Sequence, residues 1–328
     1  MKPMRQFLIT LMLVWTAASI AAYVYSQQQN ISRGLLLALL PAFLIEIGLY
    51  LMPGFDKVRK QFDRLGSKPF RAALLTAGAV APYLIESLRL GSFRISSFLL
   101  LLVLTGMAAF WYAVMRPSPG ADLLFLVLMA GVYLSKVFPE IYARPTPHLQ
   151  LEILGRLMWV RLGVMAVLSL RRIENVRFGF LPNSSEWRIG IEQFLLFLPV
   201  GGLAIYLLRF AHFHPVALVW WKFALFVPAT FVGILWVVAL AEEFFFRGFL
   251  QQVVSRGLHS EAAGLVVTAA LFGTVHLPFR YFPNWKFAVL AGLAGLFYGI
   301  SFLRSRSIRA SMVTHALVVT TWRSLFAS

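Results

Sequence analysis

The chain has 328 residues, 59% of them hydrophobic and only 13% charged, with a mean hydropathy of +0.77. Soluble domains carry about 25% charged residues, so this composition excludes a soluble enzyme and places the chain in a bilayer. The formal net charge of +17 is scattered through connecting segments, not gathered on one soluble face; it therefore points to anionic lipid headgroups as partners and not to nucleic acid.

The first apolar run, 7–25, follows Lys2 and Arg5 and resembles a secretory signal; its length and the many later runs predict an uncleaved anchor. A second run covers 34–53. Between it and the next lies the densest basic cluster, "KVRKQFDRLGSKPFR" from Lys57 to Arg71. The positive-inside rule puts that cluster in the cytoplasm, and the N-terminus with it, because two spans separate them. Runs at 72–88, 95–115 and 121–138 follow, the first interrupted by charge. From Glu140 to Arg188 the prolines, polar residues and arginines predict loops and an amphipathic helix, with an arginine-interrupted span at 153–170. We place a boundary near 185, giving an N-terminal transmembrane region (1–185) without a recognisable motif and a second region (186–328). The second region holds runs at 190–208, 217–241, 262–278, 284–303 and 308–326.

A bilayer core of about 30 Å takes roughly twenty apolar residues as helix, and these runs are too long and unalternating for barrel strands. The expected fold is all-α, a polytopic transmembrane bundle of eight to eleven spans. No cysteine is present, which removes disulfides, thiol catalysis and thiolate metal ligation. "GLAGLFYG", with Gly292, Gly295 and Gly299, puts small residues along one helix side and predicts close helix contact.

Polar residues inside the later runs carry the chemistry. Phe223 to Ala241 contains no charge, and then "AEEFFFRGFLQ" brings Glu242, Glu243 and Arg247 together. Pro228 is a candidate start for this helix, which would leave Glu242 well inside it. On a helix Glu243 and Arg247 share a face while Glu242 points about 100° away, so the two glutamates have different jobs. Carboxylates within a span are costly and mark functional sites, although a helix end at headgroup level with a snorkelling arginine accounts for the same residues. Further on, "LFGTVHLPF" places His276 one turn after Phe272 at the end of an uncharged run, and "SIRASMVTHALVVTTW" places His315 in an apolar stretch. Each histidine alone reads as a hydrogen-bonded or interfacial residue. Together in consecutive spans, a carboxylate and two imidazoles supply a base, an orienting partner and a donor for developing negative charge, the set that hydrolysis needs. His148, His212, His214 and His259 lie in connecting segments. No His-Glu-x-x-His pair, Gly-x-Ser-x-Gly elbow or phosphate loop occurs.

The ordered set Glu-Glu-x-x-x-Arg, Phe-x-x-x-His and a last-span His resembles the CAAX protease and bacteriocin-processing (CPBP, Abi) family of intramembrane endopeptidases, over roughly residues 186–328. It rests on Glu242, Glu243, Arg247, Phe272, His276 and on His315 within a Ser-Ile-x6-His-Ala-Leu close. The resemblance implies that Glu242 activates water with His276, that this water attacks a peptide carbonyl of a membrane-associated substrate, that Glu243 and Arg247 brace the site, and that His315 helps hold the oxyanion. On cofactors the family admits both a metal-dependent and a glutamate-type reading: the two histidines and glutamate have the donors for zinc, and the metal-free reading, with no cofactor, is favoured because each histidine has a role without it. The oxyanion task is usually shared with an asparagine four residues after the histidine. Here that position is Val319, which cannot donate a hydrogen bond, leaving Thr320 or Thr321 as substitutes. The competing expectation is a family member without turnover, acting as an immunity or binding partner. The inner membrane of a bacterium is the expected location, with the substrate left open.

Overall fold

The computed structural model describes residues 2–327, with side chains from Met4 onward. The side chain of Lys2, one of the charges used to orient the N-terminus, therefore lies outside the described residues. The fold is all-α and polytopic, 79% helical with almost no strand, and among the described residues eight helices are long and apolar enough to cross a membrane. It divides into two compact units, one ending at Ile173 and the other starting at Glu174.

The first unit contains α1 (Lys2–Gln28), α2 (Arg33–Leu51), α3 (Asp56–Asp63), α4 (Lys68–Leu90), α5 (Ile95–Val114), α6 (Pro119–Leu134), α7 (Val137–Ile141) and α8 (Glu152–Arg171). Serines start several of these helices: Ser32, Ser67 and Ser118 each accept a hydrogen bond from the backbone N–H three residues on. Gly91 ends α4 in the left-handed conformation, at φ 64°. Hydropathy does not decide which helix is central. None of the most apolar stretch of α1 is buried, whereas 72% of the corresponding stretch of α8 is.

That stretch, expected in part as an amphipathic surface helix, is thus a buried span, and its arginines explain how it can be one. Arg161 donates two hydrogen bonds to the Glu46 carboxylate, at 2.9 and 3.0 Å, and a third to the Gly78 carbonyl at 3.2 Å. Arg171 pairs with Asp122 at 2.9 and 3.0 Å, and Tyr112 donates to the same carboxylate at 3.0 Å. Charges buried in apolar surroundings persist only when paired and hydrogen-bonded, as these are. The run expected at 121–138 forms the shorter, sixteen-residue α6 and then turns at Ser135.

The second unit contains α9 (Ser184–Leu208), α10 (Trp220–Gly257), α11 (Glu261–Thr274), α12 (Trp285–Ser305) and α13 (Ile308–Leu325). The short strands β1 (His212–Phe213) and β2 (Phe326–Ala327) pair antiparallel. Asn183 and Glu186 close a reciprocal capping box at the start of α9, at 2.9 and 2.8 Å. α12 packs against α9, α11 and α13, while α13 also lies along α9 and α10.

Two features depart from the sequence expectation. Pro228 does not start the helix that carries the glutamates. The helix begins at Trp220 and runs through Pro228 for 38 residues, about 57 Å at ~1.5 Å per residue. Two π-helical stretches, Ile234–Ala239 and Phe244–Gln251, interrupt it on either side of Glu242 and Glu243. Such wide turns recur at functional sites because they re-aim side chains without ending a helix. The run expected at 262–278 stops at Thr274, so His276 lies in the turn beyond α11.

Small residues set the helix spacing around the site. A Cβ on Gly273 would lie 2.5 Å from the Ala288 carbonyl oxygen and 3.2 Å from the Gly292 backbone. Both obstacles are backbone and cannot rotate away. Gly273→Ala is therefore expected to force α11 and α12 apart and to destabilise the second unit by about 1–3 kcal/mol. Thermal unfolding in detergent measures this, and an unchanged midpoint would show that α11 is free to shift.

Candidate active site

α10 presents its two adjacent glutamates to different surroundings. The Glu243 side chain is fully buried, whereas that of Glu242 is one-third exposed. Glu243 Oε1 accepts hydrogen bonds from His315 Nδ1 at 2.7 Å and from Arg247 Nη1 at 3.3 Å. The different surroundings of the two glutamates thus follow from their roughly 100° separation on one helix.

Arg247 is held from several directions. Its Nη2 donates to the Gly295 carbonyl at 3.0 Å, and its guanidinium carbon lies 4.4 Å from the Phe272 ring centre, 5.2 Å from Tyr298 and 5.7 Å from Phe246. Three aromatic rings and one carboxylate compensate a guanidinium that has left water. Gly295 permits the approach, since a Cβ there would stand 3.1 Å from Arg247 Nη2.

His315 sits on α13, where every residue from Ala310 to Ala316 is buried. Neighbouring hydroxyls hold this turn: Ser311 Oγ donates to the Tyr298 carbonyl at 2.8 Å, and Thr314 Oγ1 donates to the Gly190 carbonyl at 3.1 Å. Tyr298 stacks on the imidazole with ring centres 4.6 Å apart and planes 10° from parallel. With Nδ1 directed to Glu243, His315 Nε2 points toward Glu242 and lies 3.9 Å from its Oε2. That oxygen makes no hydrogen bond among the described residues.

His276 is partly buried, and its Nδ1 lies 2.7 Å from the Phe272 carbonyl. A carbonyl can only accept, so Nδ1 carries a proton, and whenever the ring is neutral Nε2 presents a lone pair. Phe272 bridges the two histidines: its ring centre is 4.7 Å from His276 and 6.0 Å from His315. Glu242, Glu243, Arg247, Phe272 and His315 therefore converge, and His276 adjoins them through Phe272.

Tyr298 and Gly295 were not singled out by sequence reasoning, beyond the packing role of the glycine. The available signal was "GLAGLFYG" itself, in which Tyr298 follows Gly295 by one turn on the small-residue side of α12. Val319 is partly buried, one turn beyond His315, and the hydroxyl of the buried Thr320 makes no hydrogen bond among the described residues. Among the described residues, no group of three or more His, Cys, Asp or Glu side chains is arranged to hold a metal ion. His212 belongs to β1, and His148, His214 and His259 lie in connecting segments.

In chemical terms the cluster offers an accessible carboxylate, a carboxylate–imidazole pair beside it, and a second imidazole with a fixed lone pair. Comparison with curated proteins and with solved structures finds no match. Among protein families, the model described as type II CAAX prenyl endopeptidase Rce1-like matches residues 220–321, from the start of α10 to within α13. The match spans all six residues that prompted the family resemblance, which is thereby borne out over this segment of an integral membrane chain.

Proposed function

We propose that the unit from Glu174 onward is an intramembrane endopeptidase acting on a membrane-associated peptide or protein, with Glu242 as general base. The observation that carries this reading is the Glu243–His315 hydrogen bond of 2.7 Å, which turns His315 Nε2 toward the partly exposed carboxylate of Glu242. Glu242 and the lone pair on His276 Nε2 take up a water, and Glu242 removes its proton as the oxygen attacks the scissile carbonyl carbon. The carbonyl becomes a tetrahedral oxyanion, which His315 stabilises. To donate from Nε2 while Nδ1 donates to Glu243, that ring must carry both protons; Glu243 on one side and the oxyanion itself on the other supply the countercharge. The proton on Glu242 then passes to the leaving nitrogen, the C–N bond breaks as the oxyanion collapses to a carboxylic acid, and the acid gives its remaining proton to the amine, so that a carboxylate and an ammonium group depart. No step requires a metal. The family match, over the segment that holds every one of these groups, supports peptide hydrolysis in particular.

The deciding experiment compares peptides released by membranes containing the wild-type chain with those containing His276→Ala. At least one cleavage product is expected only with the wild type; identical peptide sets would favour the non-catalytic, binding reading. Val319 refines the test. An absent oxyanion donor costs about 10²–10³ in turnover, and an asparagine one turn from His315 would face the same way. Val319→Asn is expected to raise the cleavage rate, and Thr320→Val to lower it if the Thr320 hydroxyl already serves as donor. If neither variant changes a measurable rate, the oxyanion does not form beside His315.

A further inference from the structure

A cavity of about 390 Å³ opens where α10 ends at Gly257, α11 begins at Glu261 and α12 ends at Ser305. Its size lies within the roughly 300–1,000 Å³ of small-molecule sites. Arg256 and Arg306 stand exposed at its mouth, Gln251 and Phe302 are buried in its wall, and Ser255 and Glu261 are among the other polar lining residues. Arg306 pairs with Glu261 at 2.6 Å, and Arg256 donates to the Gln252 side chain at 3.1 Å. Two guanidiniums against one carboxylate leave the mouth positive and rich in donors.

Gln251 is the second observation. It is only 1% exposed, yet neither its Nε2 nor its Oε1 has a hydrogen-bond partner among the described residues. A buried amide left in this state is unfavourable, and a polar occupant of the cavity relieves it. The close contact with α12 is itself built for this side chain, because a Cβ on Gly299 would lie 2.9 Å from Gln251 Oε1.

We infer that this cavity binds the phosphate group of a membrane phospholipid. Guanidinium forks match the oxygens of a phosphate in pairs, Gln251 Nε2 supplies a further donor to a phosphate or ester oxygen, and Phe302 lines the wall against which the glycerol backbone rests. The ends of three apolar helices put the cavity at headgroup depth, where phospholipid is the most concentrated phosphate. The inference does not depend on the catalytic reading.

The test uses the full chain, purified and delipidated in detergent, titrated with phosphatidylglycerol, phosphatidylcholine or inorganic phosphate and read by native mass spectrometry. Wild-type protein is expected to retain phosphatidylglycerol at concentrations about tenfold below phosphatidylcholine. Arg256→Gln/Arg306→Gln should weaken phosphatidylglycerol retention by about tenfold or more, at roughly fivefold per basic group. Lys57→Gln/Lys60→Gln, which removes as much charge from the first unit, should leave it unchanged. Should the arginine variant fail to fold, Gln251→Leu decides, with weaker retention expected at unaltered charge. Undiminished retention in either cavity variant overturns the site. Displacement of the lipid by millimolar inorganic phosphate overturns the lipid and leaves free phosphate as the ligand.

Discussion

Glu242→Gln is expected to reduce peptide cleavage by at least about 10²–10⁴-fold while leaving the protein folded and in the membrane. Glutamine keeps the size and polarity of the side chain but cannot accept a proton from water, and general-base catalysis is worth about that much. Stability should change little, because the Glu242 side chain is one-third exposed and its Oε2 makes no hydrogen bond among the described residues. The measurement is single-turnover cleavage of an identified substrate by purified protein in liposomes, with unfolding followed in parallel. Wild-type rates in this variant would remove Glu242 as the base.

Glu243→Gln should behave differently, with activity and stability falling together. Its carboxylate faces both Arg247 and His315 with no exposure to solvent, so the substitution leaves a buried guanidinium without its direct counter-ion. Breaking such a pair from one side costs about 3–5 kcal/mol. Removing both charges in Glu243→Gln/Arg247→Met should recover part of the stability, since an apolar side chain suits the Phe246, Phe272 and Tyr298 rings, but not the activity, because His315 remains without its carboxylate. Denaturation midpoints and cleavage rates of the three proteins separate these effects. Equal loss of stability in the single and double variants would mean that the ion pair does not hold the cluster together.

The contrast between these variants has its origin in a pattern visible in sequence. Adjacent residues on a helix diverge by about 100°, so Glu242 and Glu243 had to meet different surroundings, and the four-residue spacing brings Glu243 to Arg247. The candidate site was legible because charged and imidazole groups are conspicuous inside apolar runs. Boundaries were less so. The serine and asparagine caps that start α9 and α11 mark helix ends well, but Pro228 misleads: within a span a proline need not end a helix, since neighbouring groups re-satisfy the backbone. His276 was placed correctly after Phe272, but as part of a helix; the chain has already turned there, and the hydrogen bond to the Phe272 carbonyl holds the ring.

The sequence alone determined the solvent, the helical class and the kinds of chemical group present, because hydropathy and the 3.6-residue period are local properties. It did not determine which groups meet. Glu243 and His315 are 72 residues apart, Arg247 and the Gly295 carbonyl 48, and Glu46 and Arg161 115. These pairs exist because particular helices pack closely enough for them, and that closeness depends on positions such as Gly273 and Gly295, where a single Cβ would intervene. Tyr298, an ordinary aromatic in an apolar run, becomes a partner of His315 only once α12 lies against α13. Local pattern supplies the groups and their faces; tertiary packing alone brings faces from separate helices into contact.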